Sequence, residues 1–269
     1  TIWLKDISSR ALADSLIRLN RAFVSFFKGH GKFPVYKKYR DHSDSFDNQH
    51  GNSIDPKQRL LYILKFKEGI KYRDKRVLEY DLKKVTILKT PDGKYYAGFL
   101  IKDDTKTEHI SRVSESRAIG LDFGLTNLVI TSEGEKIENA KTLNKYYGRF
   151  SRLQRRMKRT RPNSNNRERA RIRLARLYAK IVANRDNYLH HISNLIVNKP
   201  HIDVICLEDL DSKQMKKSNI HLAWAIHDAA WGKLKRLIVE KSLTKGKTVL
   251  KIGRFQFSTK TCSSCGFIN

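Results

Sequence analysis

The apolar positions along the chain change their spacing several times, and each change marks an element. Over residues 8–28, Leu12, Leu16, Leu19, Phe23 and Phe26 recur at intervals of three and four, which predicts one amphipathic helix with Asp14, Arg18 and Arg21 off its stripe. Gly29-His30-Gly31-Lys32-Phe33-Pro34 stops it. Residues 46–115 then read as strands: Leu60 to Phe66, Lys84 to Leu88 and Tyr95 to Ile101. The last two are joined by the hairpin signal Thr90-Pro91-Asp92-Gly93-Lys94. This stretch predicts a small β-barrel or open sheet, with a boundary near residues 112–116.

Two short apolar runs follow, each with a carboxylate at or near its end: Arg117-Ala118-Ile119-Gly120-Leu121-Asp122-Phe123-Gly124 and Ile202-Asp203-Val204-Ile205-Cys206-Leu207-Glu208-Asp209-Leu210. Both predict buried strands. Between them residues 143–198 are helical, interrupted by Arg161-Pro162-Asn163-Ser164-Asn165-Asn166, so a helical hairpin is expected with an Asn or Ser cap on its second arm. That arm keeps the stripe Leu174, Leu177, Tyr178, Ile181, Leu189, Ile192 and Ile196. A further helix is predicted over 220–243, where Trp224, His227, Trp231, Leu234 and Ile238 line one side as core. Thr248 to Ile252 closes the series as a strand.

Charge sharpens this picture. The 269 residues carry 55 Lys and Arg against 27 Asp and Glu, a net +28, so a polyanion is the expected partner and nucleic acid the leading one. A passive, ribosomal-type RNA binder is the plainer alternative. The excess is concentrated between Arg149 and Arg185, where fourteen Lys or Arg face a single acid, Glu168. A merely solvated helix mixes signs three or four residues apart; this one has almost no acids to pair with, which favours phosphate contact. Arg152, Arg155, Arg156, Arg159, Arg167, Arg169, Arg173 and Arg176 are the candidates, with Lys37 and Lys38 in the tyrosine-interleaved run Tyr36-Lys37-Lys38-Tyr39-Arg40. No apolar stretch approaches the ~18 residues of a membrane span and there is no signal peptide, so a cytoplasmic location is expected.

The two carboxylate-bearing strands hold the candidate chemistry. Asp122 and Glu208, brought together from separate strands, would be unfavourable to bury without a positive partner. A divalent metal ion answers that need, as in phosphoryl-transfer sites that hold magnesium, and a nuclease is the first hypothesis. Asp122-Phe123-Gly124 matches the magnesium-binding tripeptide of protein kinases, but neither a Gly-x-Gly-x-x-Gly loop nor a His-Arg-Asp loop accompanies it. Cys262-Ser263-Ser264-Cys265 has metal-ligand spacing and supplies half of a four-ligand zinc site. Thr at position 1 and the stop just after Cys265 read as a chain cut at both ends.

The chain resembles the TnpB family of transposon-encoded, RNA-guided DNA endonucleases, relatives of the type V CRISPR effectors. The residues that carry the resemblance are Gly120-Leu121-Asp122-Phe123-Gly124-Leu125, Leu153-Gln154-Arg155-Arg156, Leu207-Glu208-Asp209-Leu210, Asp228-Ala229-Ala230-Trp231-Gly232 and Ser258-Thr259-Lys260-Thr261-Cys262-Ser263-Ser264-Cys265-Gly266. In the front half Phe26-Phe27-Lys28-Gly29, Lys32-Phe33-Pro34 and Gly93-Lys94-Tyr95-Tyr96 match as well. The resemblance implies an α+β or α/β fold in four parts. A helical remnant over 1–45 precedes a β-rich, wedge-like domain over 46–115. An RNase H-like (RuvC) nuclease domain follows over 116–253, with the basic hairpin 143–198 inserted, and a zinc ribbon begins over 254–269. It implies three metal-binding carboxylates, of which Asp122 is the first and Glu208 the second, with two magnesium ions, a structural zinc at Cys262 and Cys265, a guide RNA and a double-stranded DNA target. The third carboxylate would fall beyond Asn269, so the chain as it stands is expected to be inactive. A nuclease-inactive, RNA-guided DNA-binding repressor and a strand-transferring transposase are the alternatives.

Overall fold

The computed structural model describes residues 8–36, 44–49, 51–63, 66–74, 82–102, 114–208, 214–215 and 220–253. The chain divides into two compact units, residues 1–105 and 106–269.

In the first unit, helix α1 (Ser9–Phe27) lies where the periodicity puts it. Among the described residues six strands follow: β1 (Asp44–Asn48), β2 (Ser53–Asp55), β3 (Leu60–Ile63), β4 (Phe66–Lys71), β5 (Leu82–Lys89) and β6 (Tyr95–Ile101). They form two antiparallel sheets of three, ordered β1-β5-β6 and β2-β3-β4. The run Leu60 to Phe66 is not one strand, because Phe66 turns back to pair with Ile63 and leaves Leu61 and Ile63 in the core with Val85. The Thr90–Lys94 hairpin forms, with Gly93 at φ +84°, a conformation that glycine adopts without Cβ strain.

The polar side of α1, rather than its apolar stripe, is what β1 engages. Asp14 is buried, accepts from Gln49 at 2.7 Å and pairs with Arg18 at 3.0 Å. Arg18 continues to Asp47, which also accepts from Thr86 Oγ1 at 2.6 Å and Lys84 Nζ at 3.2 Å. Leu16 and Leu19 on the stripe are meanwhile 68% and 49% exposed. Burial pushes the Asp47 carboxyl up, but the hydrogen bonds from Thr86, Arg18 and Lys84 outweigh it and hold its pKa at about 2, against 3.8. A depressed folded-state value stabilises the folded form above pH ~4, and that contribution, about 2 kcal/mol, is lost as the pH falls towards 2. Asp47→Asn should therefore lower the melting temperature at pH 6 and remove part of the acid sensitivity between pH 4 and 2. Identical pH–melting curves for variant and wild type would show that the cluster contributes nothing.

The second unit is built on a five-stranded sheet: β7 (Ala118–Asp122), β8 (Asn127–Thr131), β9 (Lys136–Glu138), β10 (Val204–Glu208) and β11 (Thr248–Ile252), in the order β11-β10-β7-β8-β9. β7, β8 and β9 form an antiparallel meander, while β10 and β11 run parallel to β7. Helix α2 (Thr142–Arg159) and helix α3 (Asn165–Val197) form the predicted hairpin within the crossover from β9 to β10. Ser164 caps α3 by accepting from the Arg167 amide at 3.2 Å. Leu143, Leu177 and Ile181 hold the two arms together. The core proper packs Ile119, Leu121, Ile205 and Leu207 of the sheet against Leu189, Ile192 and Ile196 of α3.

The single helix expected over 220–243 is in fact two, α4 (Ile220–Ala229) and α5 (Trp231–Thr244), broken at Ala230 in a left-handed conformation (φ +50°). The break divides the expected stripe: Trp231, Leu234 and Ile238 are buried, whereas Trp224 and His227 are exposed. Tertiary contacts on either side of Ala230 explain it. Asp228 accepts the Leu143 amide at the start of α2 with both carboxylate oxygens (3.0 and 2.9 Å), and Trp231 Nε1 donates to the Gly124 carbonyl at 3.1 Å. No helix among the described residues is long and apolar enough to cross a membrane.

Candidate active site and nucleic-acid interface

The neighbouring strands β7 and β10 are clipped together where they begin. Arg117, just before β7, donates through Nη2 to Asp203 Oδ1 at 2.9 Å, and the Asp203 amide donates to the Arg117 carbonyl at 2.9 Å. That guanidinium hydrogen bond also holds the Asp203 carboxyl below the usual carboxylate range. From the clip the strands run in parallel register: Ala118 opposite Val204, Ile119 opposite Ile205, Gly120 opposite Cys206 and Leu121 opposite Leu207. The next residue along each strand is Asp122 and Glu208. Since side chains alternate across a sheet, both carboxylates leave on the face opposite Leu121 and Leu207, from strands that lie about 4.8 Å apart.

Asp122 is the last residue of β7 and is exposed; Glu208 is half-buried. The pair is therefore open to solvent at the C-terminal edge of the parallel strands, where open α/β sheets bind their ligands. The turn after Asp122 is fixed by a close approach. A Cβ on Gly124 would lie 2.7 Å from the Asn127 carbonyl oxygen, so any side chain there would force the turn open. Trp231 holds the same turn through the Gly124 carbonyl.

Two hard carboxylates on one edge suit magnesium, which is commonly held by one or two carboxylates with water and substrate phosphate completing the octahedron. The donor set fits. Among the described residues no cluster of three His, Cys, Asp or Glu forms around it.

Sequence reasoning missed three residues of this framework. Arg117 and Asp203 had a signal, since opposite charges stand at the same offset before the two carboxylates. Lys235, which donates to the Glu208 carbonyl and lies over the Phe123 ring, had none among so many lysines.

On the hairpin, Arg152, Arg155, Arg156, Arg159, Arg169, Arg173 and Arg176 are all exposed. Arg156, Arg169 and Arg173 converge with Thr160 and Asn166 on a recess of about 250 Å³. Arg149, Arg173, Arg176 and Lys180 line a second one of about 330 Å³, so Arg173 borders both. Arg167 also has a structural task. It is half-buried, and its Nη1 donates to the Met157 and Thr160 carbonyls (3.3 and 3.1 Å), closing the end of α2. Lys37, Lys38, Cys262 and Cys265 lie outside the described residues.

A mixed α/β sheet carrying two carboxylates beside a basic helical hairpin defines the class. Residues 103–219 match the OrfB_IS605 family, described as "Probable transposase". A "Putative RNA-guided DNA endonuclease" of Streptomyces pristinaespiralis is 31% identical over 268 residues, taking in 99% of this chain and 65% of its own. A "Putative RNA-guided DNA endonuclease InsQ" of Escherichia coli K12 is 31% identical over 281 residues, with 99% and 67% covered. The chain belongs to the TnpB family. It spans about two thirds of the length of these relatives. A Cas12f1 protein, solved by cryo-EM with sgRNA and target DNA, shares the fold at a TM-score of 0.50 and 15% identity, over 71% of this chain and 39% of that one.

Proposed function

We propose that this protein is an RNA-guided, magnesium-dependent DNA endonuclease whose reaction centre is the Asp122–Glu208 edge of an RNase H-like (RuvC) sheet. The observation that carries this reading is the matched register of the two carboxylates on neighbouring parallel strands. The strand order β11-β10-β7-β8-β9, a meander extended by two parallel strands on its far side, supports the RNase H-like assignment. The names of both relatives support the activity.

Asp122 and Glu208 offer oxygen ligands from fixed backbone positions, so little reorganisation accompanies metal binding. Asp122 and Glu208 would hold magnesium there, and the metal would supply the means to activate water and to offset the charge that develops on the phosphodiester. The exposed edge leaves room for a nucleic-acid backbone to approach. The hairpin arginines contact phosphates of the guide RNA–DNA duplex, while base pairing reads the sequence. In this reading Cys262 and Cys265 form one half of a structural zinc site.

Metal removal tests the proposal. The complete protein, assembled with its guide RNA, should cut a matched double-stranded DNA in magnesium and stop entirely in EDTA, while retaining the RNA on a filter. Cleavage that persists in EDTA would sink the assignment. Products in which donor and target strands are joined would place the protein among strand-transfer enzymes instead.

A further inference from the structure

We infer that Lys235 is a positioning residue for the carboxylate pair, an inference that rests on the nuclease reading above. Asp122 and Glu208 come from strands far apart in sequence, and like charges at adjacent strand ends repel each other. The clip at Arg117 and Asp203 fixes the strands where they begin, five residues before the carboxylates, leaving the opposite ends to be fixed by something else.

Helix α5 supplies that second attachment. Trp231 and Lys235 stand one helical turn apart and so share a face of the helix. Trp231 takes the Gly124 carbonyl, just beyond Asp122. Lys235 takes the carbonyl of Glu208 itself, and its ammonium stands 4.9 Å from the centroid of the Phe123 ring, within cation–π range. A single side chain thus spans the exits of both strands, touching the residue that follows Asp122 and the backbone of Glu208. The helix that carries it is seated by Leu234 and Ile238, both fully buried, so the attachment is rigid. Lys235 sets the spacing of the two carboxylates without touching the substrate.

An ammonium near a metal site also has a direct electrostatic effect, and it has the opposite sign. As a mere like charge, Lys235 would repel a divalent cation, and removing it would tighten metal binding. As a positioning residue it favours metal binding, and removing it weakens that binding. The sign of the change therefore decides.

The test is a Mn2+ titration of the complete protein, followed by loss of the free-ion electron paramagnetic resonance signal, together with Mg2+ dependence of cleavage. Lys235→Met should raise the half-saturating concentration of both ions five- to twentyfold, with guide RNA affinity unchanged and much of the cleavage restored at high Mg2+. Lys235→Arg, whose guanidinium can still donate to the Glu208 carbonyl and stack on Phe123, should remain within twofold of wild type. A lower half-saturation in Lys235→Met would overturn the positioning role in favour of simple repulsion. Equal loss of melting temperature, RNA affinity and cleavage, with no rescue by metal or by arginine, would reduce Lys235 to a packing residue. Wild-type Mn2+ uptake that survives Asp122→Ala would show a different failure: the metal site itself would be misplaced, and the positioning role would go with it.

Discussion

Asp122→Ala and Glu208→Ala should each reduce guided DNA cleavage by at least ~10³-fold, the equivalent of roughly 4 kcal/mol of lost transition-state stabilisation. Guide RNA affinity should change less than twofold, because neither carboxylate belongs to the basic surface. Both residues are at strand ends, Asp122 exposed and Glu208 half-buried, so alanine leaves no core cavity and the melting temperature should stay within a few degrees. Asp122→Asn and Glu208→Gln preserve shape but remove the charge, and should be nearly as damaging. Retention of more than a tenth of the activity in either alanine variant would remove that residue from the reaction centre.

The second large effect concerns the hairpin. Replacing Arg155, Arg156, Arg169 and Arg173 together with Gln should weaken RNA and heteroduplex binding by two or more decades at 50 mM salt. Each lost phosphate contact should flatten the log affinity–log salt slope by roughly 0.7 to 0.9. The structure adds an internal control. Arg167→Gln removes as much charge as any one of these changes, yet Arg167 closes the end of α2. It should lower thermal stability and leave the salt slope where it was. If the quadruple variant keeps the wild-type slope, the arginine face is only solvated; if Arg167→Gln flattens it, the cap does not hold in solution.

Much of this architecture is written locally in the chain. The apolar runs ending in Asp122 and Glu208 announce two strands because a buried parallel strand needs unbroken aliphatic sequence and can carry charge only where it emerges. The hairpin shows itself through Pro162 and Ser164, which act within a turn of their own position. What stayed hidden depends on partners distant in sequence. Nothing near Ala230 announces a left-handed residue; the break follows from Asp228 reaching the start of α2 and Trp231 reaching Gly124. The polar side of α1 reads as solvated until Asp47 and Gln49 are placed against it.

The parallel pairing of β7 with β10 also sets a timetable for synthesis. Arg117 and Asp203 are 86 residues apart, and a ribosome adding ~5–20 residues per second takes roughly 4 to 17 seconds to cover that distance. Until then Asp122 has no companion carboxylate, while the arginine hairpin is complete in the chain before β10 begins. On the proposed reading, the order of the chain lets the emerging protein take hold of RNA before it can cut anything.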